Sequence, residues 1–213
     1  MKKLVLVLGM HRSGTSTLMG ILNKMGLPIG DNLMPPTNAN PKGYFENMDF
    51  VYGNEAILRN CNSSWDNVKK IFNSNVLMTP QNKSIVNFLL EKYKNYEVFG
   101  VKDPRVCVLL PLYEKVCEEK NIELIQIYTE RDKNSVIKSM TKRDGFSVSK
   151  VDKMIEYYKK FIKNPDVSLQ YENILSNTED TIKSLNNQFD FLNLNNKEDI
   201  LDFVDPDLNR NGK

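Results

Sequence analysis

Several features that would mark particular classes of protein are missing from this sequence. Its 29 basic and 27 acidic side chains leave a formal net charge of only +2. This near-balance excludes a protein that holds nucleic acid through its overall field, so any anion must be bound by a local cluster of charges. No apolar run reaches the roughly 18 residues that a membrane-spanning helix needs, and we expect no membrane span.

Cysteine and histidine are scarce as well. The three cysteines, Cys61, Cys107 and Cys117, cannot all pair with one another and lack metal-ligand spacing. We therefore expect no metal site, and a reducing, cytoplasmic compartment is the simplest interpretation. The apolar run Leu4–Leu8 follows a basic start, as in a signal peptide, but it is shorter than such a peptide requires and no cleavage site follows it. We interpret it as a buried strand.

The order of the apolar segments predicts a single α/β domain over residues 1–213. Apolar residues make up 40% of the 213 residues, which is enough for a sizeable core. Four short apolar runs are typical of parallel strands: Leu4–Leu8, Glu97–Val101, Leu124–Tyr128 and Val167–Gln170. Five segments have helical periodicity: Thr15–Met25, Val106–Glu119, Asn134–Lys142, Lys150–Ile162 and Glu179–Leu192. This alternation predicts a central, mostly parallel sheet flanked by helices.

A long polar segment, Leu27–Met48, separates the first helix from the second strand. Loops of this length inside a compact domain are usually functional or disordered. The stretch Asn40–Glu46 (NPKGYFE) mixes aromatic and charged residues, which is not typical of a disordered linker. We therefore expect this loop to cover a functional site.

The loop after the first strand, Gly9–Ser16 (GMHRSGTS), predicts an anion-binding site. Its glycines permit a tight turn, and the following helix presents its N–H groups and positive dipole end to the same hollow. Arg12 adds a full charge. The spacing nearly matches the nucleoside-triphosphate loop GxxxxGK[ST], but Thr15 stands where the lysine should be, and no strand ends in a clear acidic metal site.

This loop resembles the phosphosulfate-binding loop of sulfotransferases that use 3′-phosphoadenosine 5′-phosphosulfate (PAPS). In that family a Lys or Arg precedes Ser-Gly-Thr-Thr/Ser, as Arg12 precedes Ser13–Ser16 here. The resemblance implies a three-layer P-loop fold. It also implies that five residues hold the 5′-phosphosulfate: Arg12, Ser13, Gly14, Thr15 and Ser16.

A second element of the resemblance lies at the end of the third strand. Arg131 and Ser139 are eight residues apart, like the arginine and serine that grip the 3′-phosphate in the family. An arginine fork matches phosphate oxygens bidentately. The alternatives are a surface salt bridge of Arg131 with Glu130 or Asp132, and an ordinary helical serine at position 139.

A third element follows the second strand. Lys102–Arg105 (KDPR) resembles the Lys-Asp-Pro motif of tyrosylprotein-type and related bacterial sulfotransferases, which implies that Lys102 steadies charge on the bridging oxygen as the sulfuryl group departs. The alternatives are a solvated lysine at 102 and a helix N-cap at Asp103.

The resemblance extends from about Lys3 to about Leu192. Within it, Tyr171 lies in a segment similar to the family's Tyr-Glu-Asp/Gln-Leu stretch, which implies a place near the nucleotide. The C-terminus departs from the cytosolic small-molecule enzymes, whose Arg-Lys-Gly loop completes the 3′-phosphate site. The residues Arg210–Lys213 either serve similarly or form a frayed tail.

Transfer to a hydroxyl also requires a base that takes the acceptor's proton. Glu46 is the first candidate, because bacterial sulfotransferase-like proteins carry a similar Asn-Pro-x-Gly-Tyr-x-Glu stretch and tyrosylprotein enzymes use a glutamate in the corresponding region. Asp31 and His11 are the other candidates. The alternative for Glu46 is a loop carboxylate that pairs with Lys42 or Arg105.

Together these elements predict a sulfotransferase that moves a sulfuryl group from PAPS to a hydroxyl or amine acceptor, such as a carbohydrate, a peptide or a small molecule. The resemblance implies that Glu46, Lys102 and Arg12 are catalytic, and that no metal is required. A nucleotide-dependent kinase and a non-catalytic module that binds nucleotide or the product PAP (3′,5′-adenosine diphosphate) remain the alternatives.

Overall fold

A computed structural model describes residues 1–38, 40–67 and 74–204 of the chain. Its sheet consists of four parallel strands, β1 (Lys3–Leu8), β2 (Val98–Lys102), β3 (Glu123–Glu130) and β4 (Val167–Gln170), in the order β2-β1-β3-β4. The α/β class and the parallel sheet are thus confirmed. The prediction for Arg210–Lys213 lies outside the described residues.

Helices cover both faces of this sheet. In chain order they are α1 (Thr15–Lys24), α2 (Met48–Asn60), α3 (Ser74–Leu77), α4 (Pro80–Lys92), α5 (Val106–Glu119), α6 (Lys133–Asp144), α7 (Val148–Lys159), α8 (Tyr171–Ser176), α9 (Thr178–Gln188) and α10 (Lys197–Phe203). None of the helices in the described ranges combines the length and apolar character needed to cross a membrane.

The alternation of side chains along β1 divides the core into two layers. Leu4, Leu6 and Leu8 pack with apolar residues of α2, α4, α5, α6 and α7. Val5 and Val7 point to the opposite face and pack with α1, α8, α9 and α10. Because β1 lies between β2 and β3, its carboxyl end lies in the middle of the sheet edge formed by the carboxyl ends of the strands.

The outer edge of β2 is covered by the chain itself. The backbone N–H of Gly100 donates to the carbonyl oxygen of Pro28 at 2.7 Å. The side chains of Leu27 and Ile29 lie against Gly100, where a Cβ atom would come within 2.7 Å of Leu27. The start of the long polar loop is therefore fixed along the sheet before the loop crosses the strand ends.

Several predicted boundaries are wrong by a few residues. β2 begins at Val98 and ends at Lys102, one residue later than expected at each end. β3 extends to Glu130, since its pairing with β4 runs on to Gln170. Helices α2, α3, α4, α8 and α10 were not predicted. Asp103 is not the N-cap of α5: Arg105 occupies that position, and its N–H donates to the Asp103 carboxylate.

Candidate anion-binding site

A pocket opens where the carboxyl ends of β1, β2 and β3 meet. Its walls come from the β1–α1 loop, the start of α1, the loop before α2, the end of β2, the β3–α6 region, α8 and α10. The lining residues are His11, Arg12, Gly14–Thr17, Asn40–Glu46, Lys102, Pro104, Arg131, Arg143, Tyr171 and Phe203. Except for Ser13 and Ser139, all the predicted donor-binding and catalytic residues are among them.

The β1–α1 loop makes a tight turn at the pocket floor. Arg12 and Gly14 both adopt left-handed backbone conformations, with φ of 70° and 90°. The hydroxyl and the N–H of Ser13 both donate to the carbonyl oxygen of Met10, at 2.6 and 3.1 Å. The Ser13 hydroxyl therefore closes the turn. It was predicted to face the pocket, but Ser13 is not among the lining residues.

Glycine at position 14 is required by the neighbouring ring of Tyr171. A Cβ atom there would lie 2.1 Å from Cδ2 of Tyr171. Gly14 is also the N-cap residue of α1, and neither a capping side chain nor an acidic residue stands in the first helical turn. The positive end of α1 thus faces the pocket through Thr15, Ser16 and Thr17.

The arginine and serine predicted to bind the 3′-phosphate are both hydrogen-bonded to Arg12 of the β1–α1 loop. Nε of Arg12 donates to Oγ of Ser139 at 2.9 Å, and Nη1 of Arg131 donates to the carbonyl oxygen of Arg12 at 3.3 Å. The Arg131 guanidinium lies 4.9 Å from the ring centroid of Tyr171. Ser139 is buried on α6. Arg12 was predicted to bind only the phosphosulfate, but it also contacts both residues predicted to bind the 3′-phosphate.

The alternative partners of Arg131 have other roles. Glu130 forms an ion pair with Lys159. The carboxylate of Asp132 accepts from the N–H of Ser135 at 2.8 Å and caps α6.

Arg143 is a lining residue that the sequence analysis missed. It follows Ser139 by four residues on α6, so the two lie on the same face of that helix. Its guanidinium pairs with Asp144 through two hydrogen bonds of 2.7 and 2.8 Å. Burial lowers the pKa of Arg12, and the positive charges of Arg143 and Arg131 lower it further. Three guanidinium groups therefore stand close together at this end of the pocket.

At the other end, Lys102 is buried in a set of short polar contacts. Its Nζ donates to Oε1 of Glu46 at 2.6 Å, to the carbonyl oxygen of Tyr44 at 3.1 Å and to Oγ of Ser16 at 3.2 Å. Its side chain is 3% exposed, which rules out a solvated lysine. Glu46 has its closest partner in Lys102. Nη1 of Arg105 is 3.8 Å from its second oxygen.

A buried network fixes the segment that carries Lys102. Asp103 is fully buried and accepts from Asn54 at 2.8 Å and from Nη1 of Arg105 at 2.8 Å. Tyr113 in turn donates to Oδ1 of Asn54 at 2.7 Å, and Arg105 also pairs with Glu55 at 2.8 Å. Helices α2 and α5 therefore hold the end of β2 in place.

The other two candidate bases differ in their positions. Asp31 is exposed and is not among the lining residues. His11 lines the pocket, but its ring packs against Trp65 at 4.8 Å and Tyr158 at 5.6 Å. Burial lowers the pKa of His11 well below its ordinary value, and the charges of Arg105 and Arg143 add to this. His11 is therefore neutral at pH 7.

In the described part of the chain, no group of three or more His, Cys, Asp or Glu side chains is arranged to hold a metal ion. The three cysteines are free and buried. No protein-family model matches this chain, and no curated protein is significantly similar to it.

Proposed function

We propose that this protein is a sulfotransferase that transfers a sulfuryl group from PAPS to a hydroxyl or amine acceptor. The observation that carries the proposal is the convergence of two cationic clusters in one pocket, with Arg12 between them. One cluster is Lys102 with the start of α1, and the other is Arg131 with Ser139 and Arg143. A ligand with two separate anionic groups fits this arrangement.

The charge of the pocket supports a strongly anionic ligand. Among the described lining residues, Glu46 is the one carboxylate. Five of the lining side chains are cationic: Arg12, Lys42, Lys102, Arg131 and Arg143. A phosphate monoester carries about two negative charges at neutral pH, and a phosphosulfate adds more. PAPS has both groups, on the 3′ and 5′ oxygens of one ribose.

In this proposal each cluster binds one end of the donor. The α1 N-terminus, Ser16 and Lys102 bind the phosphosulfate, because helix N–H groups and a lysine suit its oxygens. Arg131, Ser139 and Arg143 bind the 3′-phosphate, for which arginine forks are well shaped. Tyr171, packed on Gly14 and Arg131, lies beside the nucleoside that joins the two groups.

The chemical step follows from these assignments. The acceptor oxygen or nitrogen attacks sulfur in line, and the bond from sulfur to the phosphate oxygen breaks. Glu46 takes the acceptor's proton. Lys102 stabilises the negative charge that develops on the leaving phosphate oxygen, while Arg12 and the α1 N-terminus stabilise the sulfuryl oxygens. In-line transfer requires the base and the leaving-group cation on opposite sides of the reacting sulfur, so in this proposal the bound donor separates Glu46 from Lys102, which are 2.6 Å apart in the structure.

Calorimetric titration of the purified protein with PAP, ADP and Mg-ATP tests the proposal. We expect PAP to bind without metal and far more tightly than ADP, which lacks the 3′-phosphate. Preference for Mg-ATP would instead favour a kinase. PAP binding without turnover of PAPS against any hydroxyl or amine acceptor would favour a non-catalytic binding module.

One variant distinguishes binding of the 3′-phosphate from binding of the 5′-phosphosulfate. Arg131→Ala should weaken PAP binding by about 30-fold, or about 2 kcal/mol, the typical loss of a charge-assisted contact. Binding of adenosine 5′-phosphosulfate, which has no 3′-phosphate, should change little. The control is Arg59→Ala, which removes an exposed arginine from the end of α2. Equal losses for both ligands would show that Arg131 is structural.

A further inference from the structure

Helix α10, the last helix of the described residues, contacts the loop that carries Glu46. Nζ of Lys42 donates to the carbonyl oxygen of Phe203 at 2.6 Å. The rings of Phe45 and Phe203 meet edge to face, with centroids 5.7 Å apart and an interplanar angle of 89°. This geometry is favourable for an aromatic pair. Phe203 of α10 therefore contacts the loop both through the hydrogen bond from Lys42 and through the ring of Phe45.

The Phe203 ring is itself held against α1. Gly20 lies directly beneath it, and a Cβ atom at that position would come within 2.4 Å of the ring. The amino groups of Lys24 and Lys42 lie 5.7 and 5.4 Å from the ring centroid, within the range of cation–π attraction. Since α1 also supplies the pocket floor, the ring connects a rigid helix to the loop above it.

The loop has a backbone that needs outside support. Gly43 and Phe45 both have left-handed conformations, with φ of 96° and 55°. For phenylalanine this conformation costs roughly 1–2 kcal/mol and persists only where packing imposes it. The residue after Phe45 is Glu46, whose carboxylate reaches Lys102. The direction of the Glu46 side chain thus depends on the conformation held at Phe45.

We propose that Phe203 is a positioning residue: it holds Phe45 in its left-handed conformation and thereby keeps the Glu46 carboxylate against Lys102. Lys42 assists from the other end of the loop. The structural part of this inference stands on the contacts alone, and its catalytic consequence rests on the proposed function, in which Glu46 is the base. Helix α10, far along the chain from the pocket loops, becomes part of the site by this route.

Hydrogen–deuterium exchange on the protein without ligand tests the inference. Two amides report on the loop: Gly43 N–H donates to Asn40 and Met34 N–H donates to the carbonyl oxygen of Glu46, at 3.1 and 2.8 Å. In Phe203→Leu and Lys42→Gln we expect both to exchange about tenfold faster, because local opening becomes easier when the contacts are lost.

The matched control is Phe191→Leu. Phe191 is also partly buried against the same core layer and also lies under a lysine, but it is not a lining residue of the pocket. Unchanged exchange of the Gly43 and Met34 amides in both Phe203→Leu and Lys42→Gln would overturn the inference. So would faster exchange spread evenly over β1 and β3, because that would indicate a general loss of stability. Neither result depends on PAP, so failure of wild-type PAP binding would remove the proposed function separately.

Discussion

The ion pair between Lys102 and Glu46 should make a large, measurable contribution to folding. Nζ and Oε1 are 2.6 Å apart, and the side chains are only 3% and 8% exposed. Coulomb's law with an effective dielectric constant of about 20 gives a gross attraction of roughly 6 kcal/mol. Desolvation of the two charges offsets much of this. Removing one member, however, leaves the other charge buried and usually costs about 3–5 kcal/mol.

The contacts around the pair set the expected values for each variant. Lys102→Met should lower the free energy of unfolding by about 3 kcal/mol, the low end of the range, since Arg105 remains 3.8 Å from Glu46. Glu46→Gln should cost about 2 kcal/mol, because Lys102 keeps Ser16 and the Tyr44 carbonyl as acceptors. The double variant should cost about 3 kcal/mol, which leaves a coupling energy of about 2 kcal/mol.

Urea unfolding followed by far-UV circular dichroism gives the four free energies of this cycle. Lys2 and Glu97 supply the control pair: their charges are 2.7 Å apart, nearly the same distance, but both side chains are more than two-thirds exposed, at 79% and 73%. That cycle should show no measurable coupling, since water screens exposed charges. A coupling energy below about 0.5 kcal/mol for Lys102 and Glu46 would refute the argument that burial decides the strength of the pair.

Two further predictions concern His11 and Gly14. His11, the one histidine of the chain, stays neutral in the fold while the unfolded chain binds a proton below about pH 6.5. The free energy of unfolding should therefore fall by up to about 1.4 kcal/mol for each pH unit as the pH is lowered from 6.5 to 5. Urea unfolding of His11→Gln should lack this pH dependence. Equal slopes for the wild type and His11→Gln would contradict the prediction. Gly14→Ala, whose Cβ would meet Tyr171 at 2.1 Å, should lose about 3 kcal/mol in the same assay. Gly145→Ala, also at positive φ but in open space, should lose about 1 kcal/mol, and similar losses would show that Tyr171 moves aside.

The sheet was predictable because each strand is a short apolar run. The ends of the strands were harder to predict. Thr129 and Glu130 extend β3 through backbone pairing with β4, which the pattern of side chains does not reveal. Helix α2 was not predicted although its buried apolar residues, Phe50, Val51, Ile57 and Leu58, recur at helical spacing. Helix α4 has only three buried apolar residues, Val86, Leu89 and Leu90. Their N-caps, Asn47 and Thr79 followed by Pro80, were nevertheless visible in the sequence and are ordinary signals of a helix start.

The meeting of Arg12, Lys102 and Arg131 was predictable, since each lies at or just after the carboxyl end of a parallel strand, and these ends share one edge of the sheet. Their individual contacts were not. The pairing of Glu46 with Lys102 depends on the path of a loop that has no periodicity, and Arg143 lacks any motif apart from its spacing to Ser139. Long-range partners of loop residues are set by tertiary packing, which a single sequence does not encode locally.

The hydrogen bond from the backbone N–H of Gly100 to the carbonyl oxygen of Pro28 also affects whether copies of the protein can associate through the edge of the sheet. Among the described strands β2 is an outer one, and an uncovered outer strand is a template on which another chain can add. Pro28 has no N–H group, so a chain segment that contains it cannot pass the pairing on. On the opposite side, β4 presents only four residues. The segment that leads into the loop carrying Glu46 thus also protects this edge of the sheet against pairing with another chain.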